Sequence, residues 1–114
     1  MIYNKTKNTL ISKDFELCKC ILCKIIGLMF SPKPKTLIFS FRKEQRQHLH
    51  MLFVFFPIDL IFLDDKKRVV EFKKRFLPFT FYSSKKRASY VIECPEGTIR
   101  KSKTSFGDLV MFKK

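Results

Sequence analysis

The chain predicts a mainly β fold: a compact jelly-roll-like sandwich or barrel with one or two short helices. Three observations predict it. Short runs rich in β-branched and aromatic residues recur, turn signals separate them at close spacing, and a long apolar stretch at residues 50–64 is broken only by Pro57 and Asp59. With 114 residues, 46% of them hydrophobic and fourteen of them Phe, the chain has enough for one core and too little for two comfortable ones. A single domain over residues 1–114 is expected.

In chain order, Ile2-Tyr3, Leu10-Ile11 and Phe15 to Cys18 read as short strands, with a turn at Ser12-Lys13-Asp14. A helix from Asp14 is the rival reading, because Phe15, Cys18, Leu22, Ile25 and Met29 recur at spacings of three and four. The preferred reading places a short helix at about Cys20 to Ile26, stopped by Gly27. The two prolines of Ser31 to Lys35 make a loop, and Leu37 to Phe41 a strand. Arg42 to Gln47 is polar throughout and reads as a solvated loop or helical turn. Leu49 to Phe56 and Ile58 to Leu63 read as strands, bent at Pro57, which lacks a ladder donor.

Asp64 to Lys67 supplies a hairpin turn, and Arg68 to Phe72 returns as a strand. Lys73 to Phe79 reads as irregular and basic. Tyr90 to Cys94 is a strand ended by Pro95-Glu96-Gly97, after which Thr98 can cap a helix over about Ile99 to Lys103. Gly107-Asp108 turns the chain into a closing strand, Leu109 to Phe112.

Charge and cysteine usage bear on partners and compartment. The balance of 24 Lys and Arg against 10 Asp and Glu gives a net charge of +14. That disfavours self-association and attracts a polyanion, an acidic protein or an anionic lipid surface; the equal alternative is a lysine-rich proteome, in which the charge simply clothes the surface. Cys18, Cys20 and Cys23 form C-x-C-x2-C without a second knuckle, so they read as small buried apolar residues that stay reduced rather than as a metal site. The basic N-terminal segment has no apolar core, and the charge-free run Leu49 to Ile58 is shorter than the ~20 residues a spanning helix needs. No transmembrane segment is expected, and the cytoplasm is the expected compartment.

Asp59 is the sharpest candidate for chemistry. An unpaired charge among Phe55, Phe56, Ile58, Leu60, Ile61 and Phe62 costs several kcal/mol, so the carboxyl is protonated, hydrogen-bonded or paired. It is either a pocket carboxylate or, the favoured reading, an acceptor for backbone amides at the Pro57 bend. His48 and His50 form H-x-H, which on a strand points both rings to one face and can hold a metal with Asp59 or Glu93 as third ligand. On balance no metal and no cofactor are expected. Glu93 is a second acid in an apolar strand. It pairs with Asp59 if they share a face, and is solvated, the favoured reading, if it faces out. Cys94 needs a nearby cation or His to become a reactive thiolate. No glycine-rich phosphate cradle, nucleophile elbow or HExxH is present. The basic clusters interleave with aromatic residues in a way that suits single-stranded nucleic acid, but core Phe and solvated Lys are the favoured reading.

Several of these motifs recur together in one known family. Gly27-Leu28-Met29, Phe39 and Phe41, the run from His50 to Asp64, Val69-Val70, Tyr90 to Gly97 and Gly107-Asp108 resemble the domain-of-unknown-function 192 family in order and spacing. The resemblance spans about Leu17 to Phe112. Where the usual bacterial motif reads Trp-Met-Lys-Asn-Thr before Pro-Leu-Asp, this chain has His50-Met51-Leu52-Phe53-Val54 before Pro57-Ile58-Asp59. That looks like the archaeal-type branch, and no role of the Lys-Asn-Thr trio carries over. The resemblance implies a small jelly-roll-like sandwich and delivers no activity. The expected function is a non-enzymatic binding module for a small ligand or an anionic partner. The alternative is an enzyme using Asp59 with His50 or Glu93.

Overall fold

The computed structural model describes residues 1–19, 24 and 27–113. Its strands are β1 (Ile2–Asn4), β2 (Thr9–Ser12), β3 (Glu16–Cys18), β4 (Leu37–His50), β5 (Ile58–Leu63), β6 (Val69–Phe76), β7 (Phe81–Pro95) and β8 (Val110–Phe112), with one described helix, α1 (Thr98–Ser102). Three strands form a small sheet in the order β2-β1-β8, and five form a larger one in the order β3-β4-β7-β5-β6. The fold is therefore mainly β, as the short runs of β-branched and aromatic residues predict. No described helix is long and apolar enough to cross a membrane.

The larger sheet is buried on both faces, and this decides where every acid of interest goes. Ile38, Ile61, Leu63, Ile92 and Cys94 pack against Ile2, Ile11 and Val110 of the smaller sheet and Ile99 of α1. Alternate residues Leu37, Phe39, Leu60, Phe62 and Val91 point the other way, onto Leu28, Met51 and Val54. All six residues of β5 are consequently buried. A strand of this kind reads as a continuous apolar run, which is what residues 58–63 are.

Five features of the elements differ from the sequence reading. Arg42 to Gln47 is not a loop: β4 runs through it, with a register shift against β7 between Ser40 and Gln45. Its exposed side chains erase the period-two signal there. Leu49 to Phe56 is not a strand. The ladder ends at His50, the Val54 amide turns back to the Met51 carbonyl at 3.2 Å, and Phe53 takes φ 57°, which extended backbone cannot contain. Lys73 to Phe76 belongs to β6 rather than to an irregular segment, and β7 begins nine residues before Tyr90, at Phe81. Thr98 does not cap α1 as expected; Gly97 is the cap residue and contributes no side chain. The expected helix at Cys20 to Ile26 lies outside the described residues, apart from Lys24.

The chain ends are joined by a buried polar network. Asn4 donates to Thr104 Oγ1 at 3.1 Å and to Asp108 Oδ2 at 3.0 Å, and the Lys7 ammonium reaches the same carboxylate at 2.9 Å. Burial alone raises the Asp108 pKa. Hydrogen bonds from Asn4, Lys7 and the Ser105 amide, with the Lys7 charge, outweigh it and hold the carboxyl below its ordinary range.

Candidate functional site

Asp59 lies in β5 opposite Cys94, so its side chain shares the face that packs on α1 and the small sheet. Its Oδ1 accepts the Arg75 amide at 3.0 Å, and its Oδ2 accepts the amides of Gly97 at 3.1 Å and Ile99 at 3.0 Å. Gly97 and Ile99 open α1, which has no local capping side chain. Asp59 thus does from a distant strand what an N-cap residue does locally. It also pins a bulge at Arg75, whose φ is 53°. These amides are not those of the Pro57 bend, but the carboxylate accepts backbone donors.

Glu93 sits one residue before Cys94 on β7 and on the opposite face. It is 5% exposed rather than solvated, because the face the sequence left to water is covered by Leu28, Met51 and Val54. Asp59 and Glu93 therefore form no pair. The Glu93 carboxyl opens into a cavity of about 40 Å³ lined by Lys24, Gly27, Leu28, His48, His50 and Met51. Its Oε1 lies 3.6 Å from where a Cβ on Gly27 would stand, and Gly27 takes φ 50°. The backbone closes over the acid at a position suited to glycine. Among the described residues no side chain or amide hydrogen-bonds the Glu93 carboxyl. Burial pushes its pKa up to about 8.

His48 and His50 both line this cavity and a broader adjoining cleft of about 360 Å³, as does Leu49 between them. His50 Nδ1 accepts the Leu52 amide at 3.2 Å, and His48 Nδ1 lies 2.9 Å from the Ser83 hydroxyl. The outer cleft is walled by Phe39, Phe41 and Leu49 and edged by Lys24 and Arg46. Lys24 stands 4.3 Å above the Phe41 ring. The structure thus joins His50 to Glu93 and excludes Asp59. Sequence reading missed Lys24, Gly27 and Arg46; Gly27 alone carried a signal, as a glycine in a recurring motif.

The cysteines do not supply a nucleophile to this site. Burial, followed by the Asp59 charge, pushes the Cys94 thiol far above its ordinary range, and the side chain points to the α1 face. Cys18 is disulfide-bonded, which corrects the expectation that it stays reduced; Cys20 and Cys23 lie outside the described residues. Among the described residues no three His, Cys, Asp or Glu side chains gather to hold a metal.

Comparison with known proteins agrees with the order of motifs along the strands. The DUF192 model, described as an uncharacterized ACR, matches residues 3–112. The chain belongs to the DUF192 family. Its relatives include a UPF0127 protein of Thermococcus sibiricus, 35% identical over 95% of this chain and 71% of that protein. The UPF0127 protein PH1112 of Pyrococcus horikoshii is 34% identical over 96% of both chains. Both organisms are archaea, as the His-Met-Leu-Phe-Val form of the motif implies. A crystal structure from Sinorhizobium meliloti shares the fold at TM-score 0.80 and 20% identity, covering 85% of this chain and 79% of that one. One of unknown function from Novosphingobium aromaticivorans does so at TM-score 0.79 and 22% identity, covering 86% and 74%.

Proposed function

We propose that this DUF192 chain is a non-enzymatic binding module for a small carboxylate with an apolar tail. The observation that carries the reading is the Glu93 carboxyl, buried, without a described hydrogen-bond partner, and open to a cavity edged by a lysine and two histidines. With its pKa raised to about 8, the acid is protonated at neutral pH. A neutral carboxyl has an O–H to donate and attracts an anion's oxygen, which a carboxylate would repel. The inner cavity holds roughly three water-sized groups, enough for one carboxylate head. The tail then lies along Phe39, Phe41 and Leu49, with Lys24 and Arg46 supplying positive charge at the mouth.

Binding without turnover fits the fate of the other reactive groups. The Asp59 oxygens are occupied by three amides, and Cys94 faces away with its thiol protonated. Titration calorimetry with hexanoate and acetate tests the reading. Hexanoate should bind saturably and at least about tenfold more tightly than acetate, because each buried methylene contributes about 0.8 kcal/mol. Its affinity should fall as pH rises through about 8, and Glu93→Ala should remove it. Hexanoate binding that is indifferent to both pH and Glu93→Ala would overturn the proposal.

A further inference from the structure

Six of the fourteen Phe are exposed, contrary to the expectation that the Phe are core. Four of them meet at one end of the large sheet. Phe30 stacks on Phe53 with centroids 5.0 Å apart, and Phe79 meets Phe53 at 6.0 Å and Phe55 at 5.6 Å, both edge-on. Leu52 and Leu77 are exposed beside them in the chain. Exposed side chains of this size gathered in one place, rather than scattered singly, mark an interaction surface.

The backbone under this cluster is strained in a way the core does not require. Phe30, Phe53 and Phe79 take φ of 61°, 57° and 59°, a region bulky residues rarely enter. Such strain persists where surrounding structure imposes it, and it collects at functional surfaces. Here the imposing contacts are cross-loop hydrogen bonds: Phe30 N–H to the Phe53 carbonyl, Phe79 N–H to the Met51 carbonyl, and Met51 N–H to the Thr80 carbonyl, each 2.8 Å.

We propose that this end of the molecule docks on an anionic lipid surface, with Phe30, Phe53, Phe55 and Phe79 entering the boundary between headgroups and acyl chains. Three features choose this occupant. The cluster is made of Phe and Leu, which carry no polar tip to keep wet, and the rings already cover one another's faces, leaving less for stacked bases. The amides of Phe30, Met51, Val54 and Phe79 are bonded within the protein, so moving these loops out of water strands none of them. Charge supplies the third. Residues 27–58 and 72–92, which carry all four rings, contain eleven Lys and Arg against one acid, Glu44. Lys33 is three residues from Phe30 and Arg75 four from Phe79, so the Cα atoms of cation and ring lie within about 15 Å of each other by chain length alone. The acids these cations meet come from elsewhere: Glu16 pairs with Lys35 at 3.2 Å and Glu96 with Arg75 at 3.4 Å. A net charge of +14 also opposes a second copy on the same patch.

Co-sedimentation of the full chain with vesicles tests this. The chain should pellet with phosphatidylcholine vesicles containing phosphatidylserine, and much less with phosphatidylcholine alone or at high salt. The double substitution Phe53→Ser, Phe55→Ser should weaken binding at least tenfold, since each inserted ring contributes on the order of a tenfold factor. Phe106→Ser, at an exposed ring packed on Phe72 away from the cluster, should leave binding unchanged. The proposal is overturned by failure to pellet, or by equal loss in the Phe106 control. It is equally overturned if the double substitution instead abolishes binding to oligouridylate, or self-association, in a chain that ignores vesicles.

Discussion

Replacing Asp59 with Ala destabilises the protein by on the order of 4 kcal/mol, the largest loss expected from any single substitution at these sites. Three amides, of Arg75, Gly97 and Ile99, lose their acceptor at once. Each buried donor left without a partner costs about 1–3 kcal/mol, and water that enters the space recovers part of it. Against a total stability of about 5–15 kcal/mol for a domain of this size, that is a large fraction. Asp59→Asn should cost less, about 2 kcal/mol, because the amide keeps an acceptor oxygen but turns its N–H groups toward a backbone donor. Urea unfolding followed by circular dichroism measures both. The folded fraction of Asp59→Asn should still bind hexanoate, since Asp59 faces away from the Glu93 cavity. An Asp59→Asn protein of undiminished stability that has lost the ligand would place Asp59 in the binding site instead.

Glu93→Gln acts in the opposite direction. The wild-type acid keeps its proton up to about pH 8 in the folded protein, whereas in the unfolded chain it releases it near its ordinary value of 4.5. Between those limits the folded state binds one more proton than the unfolded state, so stability falls as pH rises, by about 1.4 kcal/mol per unit. The loss begins above the unfolded value and is complete above about pH 8, amounting to on the order of 5 kcal/mol. Gln has no proton to lose. The variant should match wild type near pH 4 and exceed it increasingly toward pH 8, seen as a melting temperature that no longer drops across that interval. Parallel pH profiles for the two proteins would mean that the wild-type carboxyl ionises freely. A stability deliberately spent on a buried acid is what a binding site retains and a packing position discards.

How far the fold was legible follows from where each strand meets water. Residues 58–63 lie in a strand buried on both faces, and an unbroken apolar run declares that directly. The hairpin turn at Asp64 to Lys67 is equally local: the Asp64 side chain takes the amides of Lys66 and Arg68 at 2.9 Å. β4 was only half visible, because from Arg42 to Arg46 its side chains are exposed and polar while the strand continues. The stretch 51–57 misled in the converse way, its apolar residues serving a loop surface rather than a strand.

The acids divide similarly. That Asp59 is buried could be read from its neighbours, but its partners are 16, 38 and 40 residues away, and no local pattern joins them. Glu93 was assigned to water because a strand with one acid among apolar residues usually has a wet face. Its cover comes from Leu28, Met51 and Val54, which belong to other parts of the chain. Convergence of His48 and His50 was visible in their spacing; their meeting with Glu93 was a property of the fold alone.

Binding at the Glu93 cavity depends on one proton remaining on a buried carboxyl. Carbon-13 labelling of the glutamate side chains, with the carboxyl resonances followed by NMR from acid to alkaline pH, observes that proton directly. One of the resonances, assigned by its absence in Glu93→Gln, should titrate with a midpoint near 8. If that resonance instead titrates near the ordinary value of 4.5, the cavity holds an ordinary carboxylate and the carboxylate-binding account fails.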